Sequence, residues 1–313
     1  MPLRRFVNWL VMSVILFFVI SALIFVLVSL TPGDAARAIV GPTASQERYE
    51  QVRGELGLDL PLWQQYARWL GGLFQGDLGD SVVSGVPVMQ VLADRLEPTL
   101  ALIVCTFVCA SILGIVLGVV GAARPGVVGK AADVGSVIGS AVPSFWIGLV
   151  LASVFAVQLG VVPTSGYTPL IDGLGPWLSH MILPIVTLTI GGTALLAKQT
   201  RDAVAEQLSQ PYIVLLRAHG VSERRILWRH ALRGAAVPIV TILGMKMIGL
   251  TSGTVLVESV FVIPGFAGYS VNATLLHDIP VVQAITLIFT IVIILTNLVV
   301  ELVYARLNVK ETA

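Results

Sequence analysis

Apolar residues gather in six long runs separated by polar connections. A helix rises 1.5 Å per residue and roughly 30 Å of hydrocarbon must be crossed, so a run of about 20 apolar residues predicts a spanning helix. The first run, Val7–Leu30, follows Arg4 and Arg5. It is longer than a signal-peptide core and lacks a small-residue cleavage site, which predicts a retained helix. The others cover 99–122, 134–159, 180–197, 235–262 and 281–304. The second and third are rich in Gly, Ala and Ser, residues that let helices approach closely in lipid, and are expected to pack together. The predicted fold class is an all-α integral membrane protein with about six transmembrane helices.

Basic residues in short connections tend to stay cytoplasmic. They occupy the N-terminus (Arg4, Arg5), the second-to-third connection (Arg124, Lys130), the fourth-to-fifth connection (seven Lys and Arg between Lys198 and Arg233) and the C-terminus (Arg306, Lys310), while 160–177 and 264–280 contain none. Both termini are therefore expected in the cytoplasm. The chain divides into a first helix at 1–30, an extracellular lobe at 31–98, a five-helix core at 99–305 and a cytoplasmic tail at 306–313.

Two hydrophilic segments interrupt the spans. In the lobe, 46–56 and 62–74 read as short amphipathic helices punctuated by Gly57, Pro61, Gly76 and Gly79. The lobe holds neither His nor Cys, so no transition-metal cluster or nucleophile–His pair can form within it. The cytoplasmic connection 198–234 places Pro211 at a helix start, Gly220 at its end and Ser222 as the cap of a following helix. This is a helix, a glycine turn and a second helix, bland as a basic topology-setting loop and well suited to a projecting lever.

Composition narrows the function. With 56% apolar and 12% charged residues, against about 25% charged in soluble domains, the chain needs a non-aqueous solvent. A net charge of +1 without a basic stripe argues against a nucleic-acid partner. Cys105 and Cys109 lie in an apolar run, where thiols behave as small hydrophobes. No phosphate-binding G-x-x-x-x-G-K-[ST] is present, since the nearest string, 126–130, is followed by Ala131, so ATP hydrolysis by the chain alone is excluded. The absence of H-E-x-x-H and the scattering of His180, His219, His230 and His277 weigh against an intramembrane enzyme, and nothing positive favours a receptor. Lys246 and Glu258, both in the fifth span, are costly at membrane depth and hence functional candidates. With Thr251, Ser252 and Thr254 they make that span the best candidate to line a pathway.

Arg217, Ala218, His219 and Gly220, followed by Val221, Ser222, Glu223, Arg224 and Arg225, then Arg229 to Arg233 and Pro238, resemble the EAA loop of ABC-importer permeases in its dipeptide, oligopeptide and nickel form. The resemblance runs through Pro32-Gly33-Asp34, Leu56 to Asp59, Gln65-Tyr66, Gly76 to Gly79, Pro143 to Trp146, Leu183-Pro184, Glu258, Pro264-Gly265, Asp278, Pro280 to Gln283, Asn297-Leu298 and Leu302 to Ala305, and so covers essentially the whole chain. The chain departs from the pattern at Val214, Leu215 and Leu216, where Glu-Ala-Ala would stand, at His219 in place of Lys, and at Ala35, where a Pro is usual.

The resemblance implies a non-enzymatic permease of the bacterial or archaeal cytoplasmic membrane, working with a second homologous permease, two ATPase subunits that hold ATP and Mg, and an extracellular solute-binding protein. It implies that Arg217 to Arg225 couple to an ATPase, and that the lobe, through Asp59, Gln65, Tyr66 and Asp77 together with Asp278, receives the binding protein. The solute expected is a peptide, with nickel chelates, glutathione or opine-like molecules as alternatives, and the chain itself binds no cofactor.

Overall fold

The computed structural model describes residues 3–30, 35–41, 43–123, 135, 139 and 141–308. Among them the chain is helical, the only extended pairing being an isolated bridge between Asp80 and Pro87. Pro32-Gly33-Asp34, Arg124, Lys130 and the tail beyond Asn308 lie outside the described residues. Among the described residues five helices are long and apolar enough to cross a membrane: Val7–Leu30, Val88–Ala123, Leu174–Leu208, Ala236–Phe261 and Ile279–Leu307. The expected third span is described continuously only from Ala141, and Pro143 precedes a helix, Ser144–Leu151, that continues as a π-helical stretch, Ala152–Gln158.

The chain folds as two compact units. One comprises residues 2–99 and 264–294, so the lobe segment folds with a stretch that the sequence assigns to the core. The lobe helices Gln46–Glu55 and Leu62–Phe74 stand where amphipathic spacing predicts them, the first capped by Ser45, whose hydroxyl accepts the Arg48 N–H at 3.3 Å. Tyr66 bonds Ser21 of the first helix at 2.7 Å and stacks on Trp69 at 5.9 Å between ring centroids. Residues 264–280, expected as a connection, contain the helix Phe266–Leu275. Phe266 is buried with Val88, Leu92, Val281 and Ile285, and its N–H bonds Thr99 Oγ1 at 3.0 Å. Apolar burial at Phe266 and Ala273 explains why this segment joins the lobe.

The other unit comprises residues 100–263 and 295–313. The helix Leu174–Leu208 is longer than the run that predicts it, because the strong helix formers of 198–208 extend it past Ala197. At 1.5 Å per residue its 35 residues reach roughly 52 Å, well beyond the hydrocarbon thickness. Val204 in this extension is buried against Val119, Ala231, Ala235 and Ile239. Glycines set the closest approaches. A Cβ at Gly114 would stand 2.7 Å from the Leu196 side chain, and one at Gly118 would stand 2.5 Å from Thr200 Cβ and 2.8 Å from the Ala197 carbonyl. A Cβ at Gly148 would meet Phe261 at 3.2 Å and Thr187 at 3.3 Å. Described small residues of the expected second and third spans thus serve contacts with Leu174–Leu208 and Ala236–Phe261.

Candidate functional site

The helix Pro211–Ala218 has Pro211 in its first turn, where a missing N–H costs nothing, and ends in a left-handed Gly220 at φ +75°. Gly220 N–H bonds Arg217 O at 2.9 Å and Val221 N–H bonds Leu216 O at 3.1 Å, the pair of bonds that closes a Schellman turn. The chain re-enters helix at Glu223 after an extended Ser222, whose side chain makes no capping bond, so the cap expected from its position is absent. Glu223–Arg225 passes into a π-helical turn, Ile226–Ala231, and then Leu232–Gly234. Wide turns of this kind recur at functional positions.

Arg217 and Glu223 close the turn from outside. Nε donates to Oε1 at 2.7 Å and the second guanidinium nitrogen donates to Oε2 at 3.2 Å. The hydrogen bond from Arg217 holds the Glu223 carboxyl below the usual carboxylate range and raises the guanidinium in turn. Because the folded value is the lower one, the bridge contributes above the ordinary carboxylate range and is lost as pH falls through that lowered value. Arg217→Gln should return the Glu223 titration to the ordinary range, read as the pH dependence of its side-chain carboxyl carbon resonance in nanodiscs. An unmoved titration would remove Arg217 as the cause.

The turn is anchored by Ile213, Ile226 and Ala231, all buried, while Val214 and Leu215 are 63% and 60% exposed and Tyr212 and Trp228 are also exposed. Ala218, His219, Arg224 and Arg225 are exposed as well. The nine expected coupling residues are therefore together on one largely exposed turn. The sequence departure at 214–216 adds to them an apolar face that the basic motif alone does not reveal.

The five pathway candidates do not share a face. Thr251, Thr254 and Glu258 point into the unit, Glu258 at 1% exposure, and Thr254 Oγ1 donates to Thr251 O at 3.0 Å. Ser252 lies on the opposite face, in an exposed stripe with Met245, Gly249, Leu256 and Ser259. Lys246 lies over Gly192, where any Cβ would collide with its Nζ and meet its Cε at 2.5 Å.

Among the docking candidates Asp59 and Asp77 are exposed, and Asp77 Oδ1 accepts the Gly79 N–H at 2.8 Å. Gln65 turns back to Leu60 O at 2.8 Å, and Tyr66 is engaged with Ser21. The expectation for Asp278 is corrected: it is 1% exposed, accepts from Ser81 Oγ at 2.5 Å and from the Val82 N–H at 3.1 Å, and so ties the 80–87 turn to the helix Ile279–Asn308 from inside. Losing a charged acceptor while its donors stay buried costs about 1.5–3 kcal/mol. Asp278→Ala should therefore lower the thermal midpoint of the detergent-solubilised chain clearly more than Asp59→Ala does, and equal midpoints would contradict the tie.

Helices long and apolar enough to span, a small lobe and an exposed helix–glycine–helix turn are the features of an all-α integral membrane protein. Residues 110–311 match the family described as binding-protein-dependent transport system inner membrane component, and residues 2–103 match its N-terminal membrane-component family. The chain belongs to this family and is a permease of the ABC-importer type. It is 39% identical over 307 residues to a probable peptide ABC transporter permease of Sinorhizobium fredii, covering 98% of this chain and 97% of that one. It is likewise 39% identical over 292 residues to the glutathione transport system permease protein GsiC of Escherichia coli K12, covering 93% of each. The inward-facing MetNI methionine ABC transporter shares the fold at a TM-score of 0.57 and 18% identity, over 70% of this chain and 97% of that one.

Proposed function

We propose that the chain forms half of a translocation pathway for peptides, glutathione included, moved into the cytoplasm by ATPase subunits on separate polypeptides. The observation that carries this reading is the exposed apolar face of Val214 and Leu215 on a turn whose other side is buried. Apolar surface held out on a rigid support suits a partner's groove. The π-helical segment links that turn to Ala236–Phe261, so a shift of the turn reaches a spanning helix.

Both termini and 198–234 lie in the cytoplasm in this reading, as the basic bias directs. The second permease, or the solute, meets the stripe of Met245, Gly249, Ser252, Leu256 and Ser259. Thr251, Thr254 and Glu258 shape that helix from behind. The extracellular binding protein meets the lobe, where Asp59, Asp77 and the exposed Trp63 and Phe74 are accessible. The solute class rests on the peptide and glutathione relatives.

Proteoliposomes carrying this chain with its second permease, its ATPases and its binding protein should accumulate labelled di- and tripeptides or glutathione only when ATP is supplied on the cytoplasmic side. An assembled complex that hydrolyses ATP and accumulates neither would overturn the solute class. Accumulation without ATP would overturn the mechanism.

A further inference from the structure

Beside the seam that Gly114 and Gly118 make with Leu196 and Thr200, the helices Val88–Ala123 and Leu174–Leu208 leave an open groove of about 470 Å³. Its floor is the stripe Ile190, Ala194, Ala197 and Arg201, whose spacings of three or four residues keep them on one helix face. Its wall is Leu113, Leu117 and Val120, apolar side chains left 47%, 52% and 38% exposed. Alanines at 194 and 197 give the floor a depth that larger side chains would fill.

One end of the groove is charged. Lys198 and Arg201 are the charged groups among its described lining residues, and both are cations. Lys198 Nζ donates to Asp202 Oδ2 at 3.1 Å, but Asp202 is not part of the lining, so the groove itself presents positive charge. A guanidinium carries five N–H donors, so Arg201 can hold an anion while keeping a contact within the protein.

Length narrows the occupant. From Ile190 to Arg201 the helix rises about 16 Å, close to half of the roughly 30 Å of hydrocarbon in a bilayer. Lys198 also stands where the apolar run 180–197 stops. An apolar trough one leaflet long, with cations at the level where hydrocarbon gives way to headgroups, matches a phospholipid with an anionic head. A soluble phosphate would leave Leu113 and Leu117 unused, and an apolar helix would leave the two cations unused.

We propose that the groove binds one anionic phospholipid, an acyl chain lying along Ile190, Ala194 and Ala197 and the phosphate accepting from Lys198 and Arg201. The proposal rests on the reading that puts 198–234 in the cytoplasm, since that leaflet carries the anionic lipids.

Native mass spectrometry of the full chain released from detergent tests the site with phosphatidylglycerol, phosphatidylcholine of the same acyl chains, and glycerol phosphate as probes. Phosphatidylglycerol should stay bound at least tenfold more than phosphatidylcholine, and glycerol phosphate should neither bind nor compete. Lys198→Gln with Arg201→Gln should reduce phosphatidylglycerol retention tenfold or more. Ala197→Leu, which fills the floor and keeps both cations, should reduce it as well. Equal retention of the two lipids, competition by glycerol phosphate at the lipid's own concentration, or retention untouched by both variants would overturn the proposal. So would loss of the bound lipid on assembly with the second permease, which would give the groove to an apolar helix. Retention in detergent depends neither on sidedness nor on transport, so failure here leaves the reading of the chain as an importer permease intact.

Discussion

Val214→Asp combined with Leu215→Asp is expected to abolish ATP-driven uptake while leaving the chain inserted and folded. Both side chains are more than half exposed, so their replacement removes little packing from the protein's own interior. Their neighbours Ile213 and Ile226 stay buried and the Arg217–Glu223 bridge is untouched, so the turn keeps its shape. What changes is the face offered to a partner. Two carboxylates brought into an apolar groove must be desolvated without compensation, and losing a central interface anchor costs about 2 kcal/mol or more, roughly a thirtyfold loss of affinity. Co-purification of the ATPase and binding-protein-stimulated hydrolysis should fall together, with membrane content of the chain unchanged. Retained stimulation would show that this face is not where coupling occurs.

Gly118→Leu is expected to have a comparably large effect by a different route. In lipid the hydrophobic effect does not drive helices together, so association depends on close packing of the kind that Gly114 and Gly118, four residues apart, allow. One obstacle at Gly118 is the Ala197 backbone carbonyl, 2.8 Å from the position of a Cβ, which cannot rotate away. Overpacking of a fitted contact costs about 1–3 kcal/mol, and leucine adds further atoms beyond the Cβ, so the two helices must part. Size-exclusion profiles of a fluorescent fusion should lose their monodisperse peak. Gly249→Ala is the matched control, because nothing lies within 4 Å of a Cβ there. Equal profiles for the two variants would refute close packing at Gly118.

Most helices were legible because their signals are local. Apolar runs located five spans, Pro211 and Gly220 bracketed the helix Pro211–Ala218, and amphipathic spacing placed Gln46–Glu55 and Leu62–Phe74 within a residue or two. The features that escaped depend on contacts made far along the chain. Asp278 looks like a surface acid until Ser81, 197 residues away, is seen bonded to it. The polarity of Thr251 and Thr254 suggested a pathway, yet a threonine in a helix can satisfy its hydroxyl on a carbonyl of the preceding turn, as both do, and so can face inward. Continuation of the fourth span to Leu208 was hidden by its charges. Val204 and the Lys198–Asp202 pair at helical spacing were the available signal. The lobe's union with 264–294 had no short-range signature at all.

The projecting turn as the point of coupling is tested most directly by Leu215→Cys in a chain whose Cys105 and Cys109 are replaced by alanine. A membrane-impermeant maleimide should label this thiol only from the cytoplasmic side, and a short bifunctional reagent should join it to the ATPase subunit in the assembled complex. Labelling from the outside, or an assembled complex that yields no adduct with the ATPase, would contradict the account.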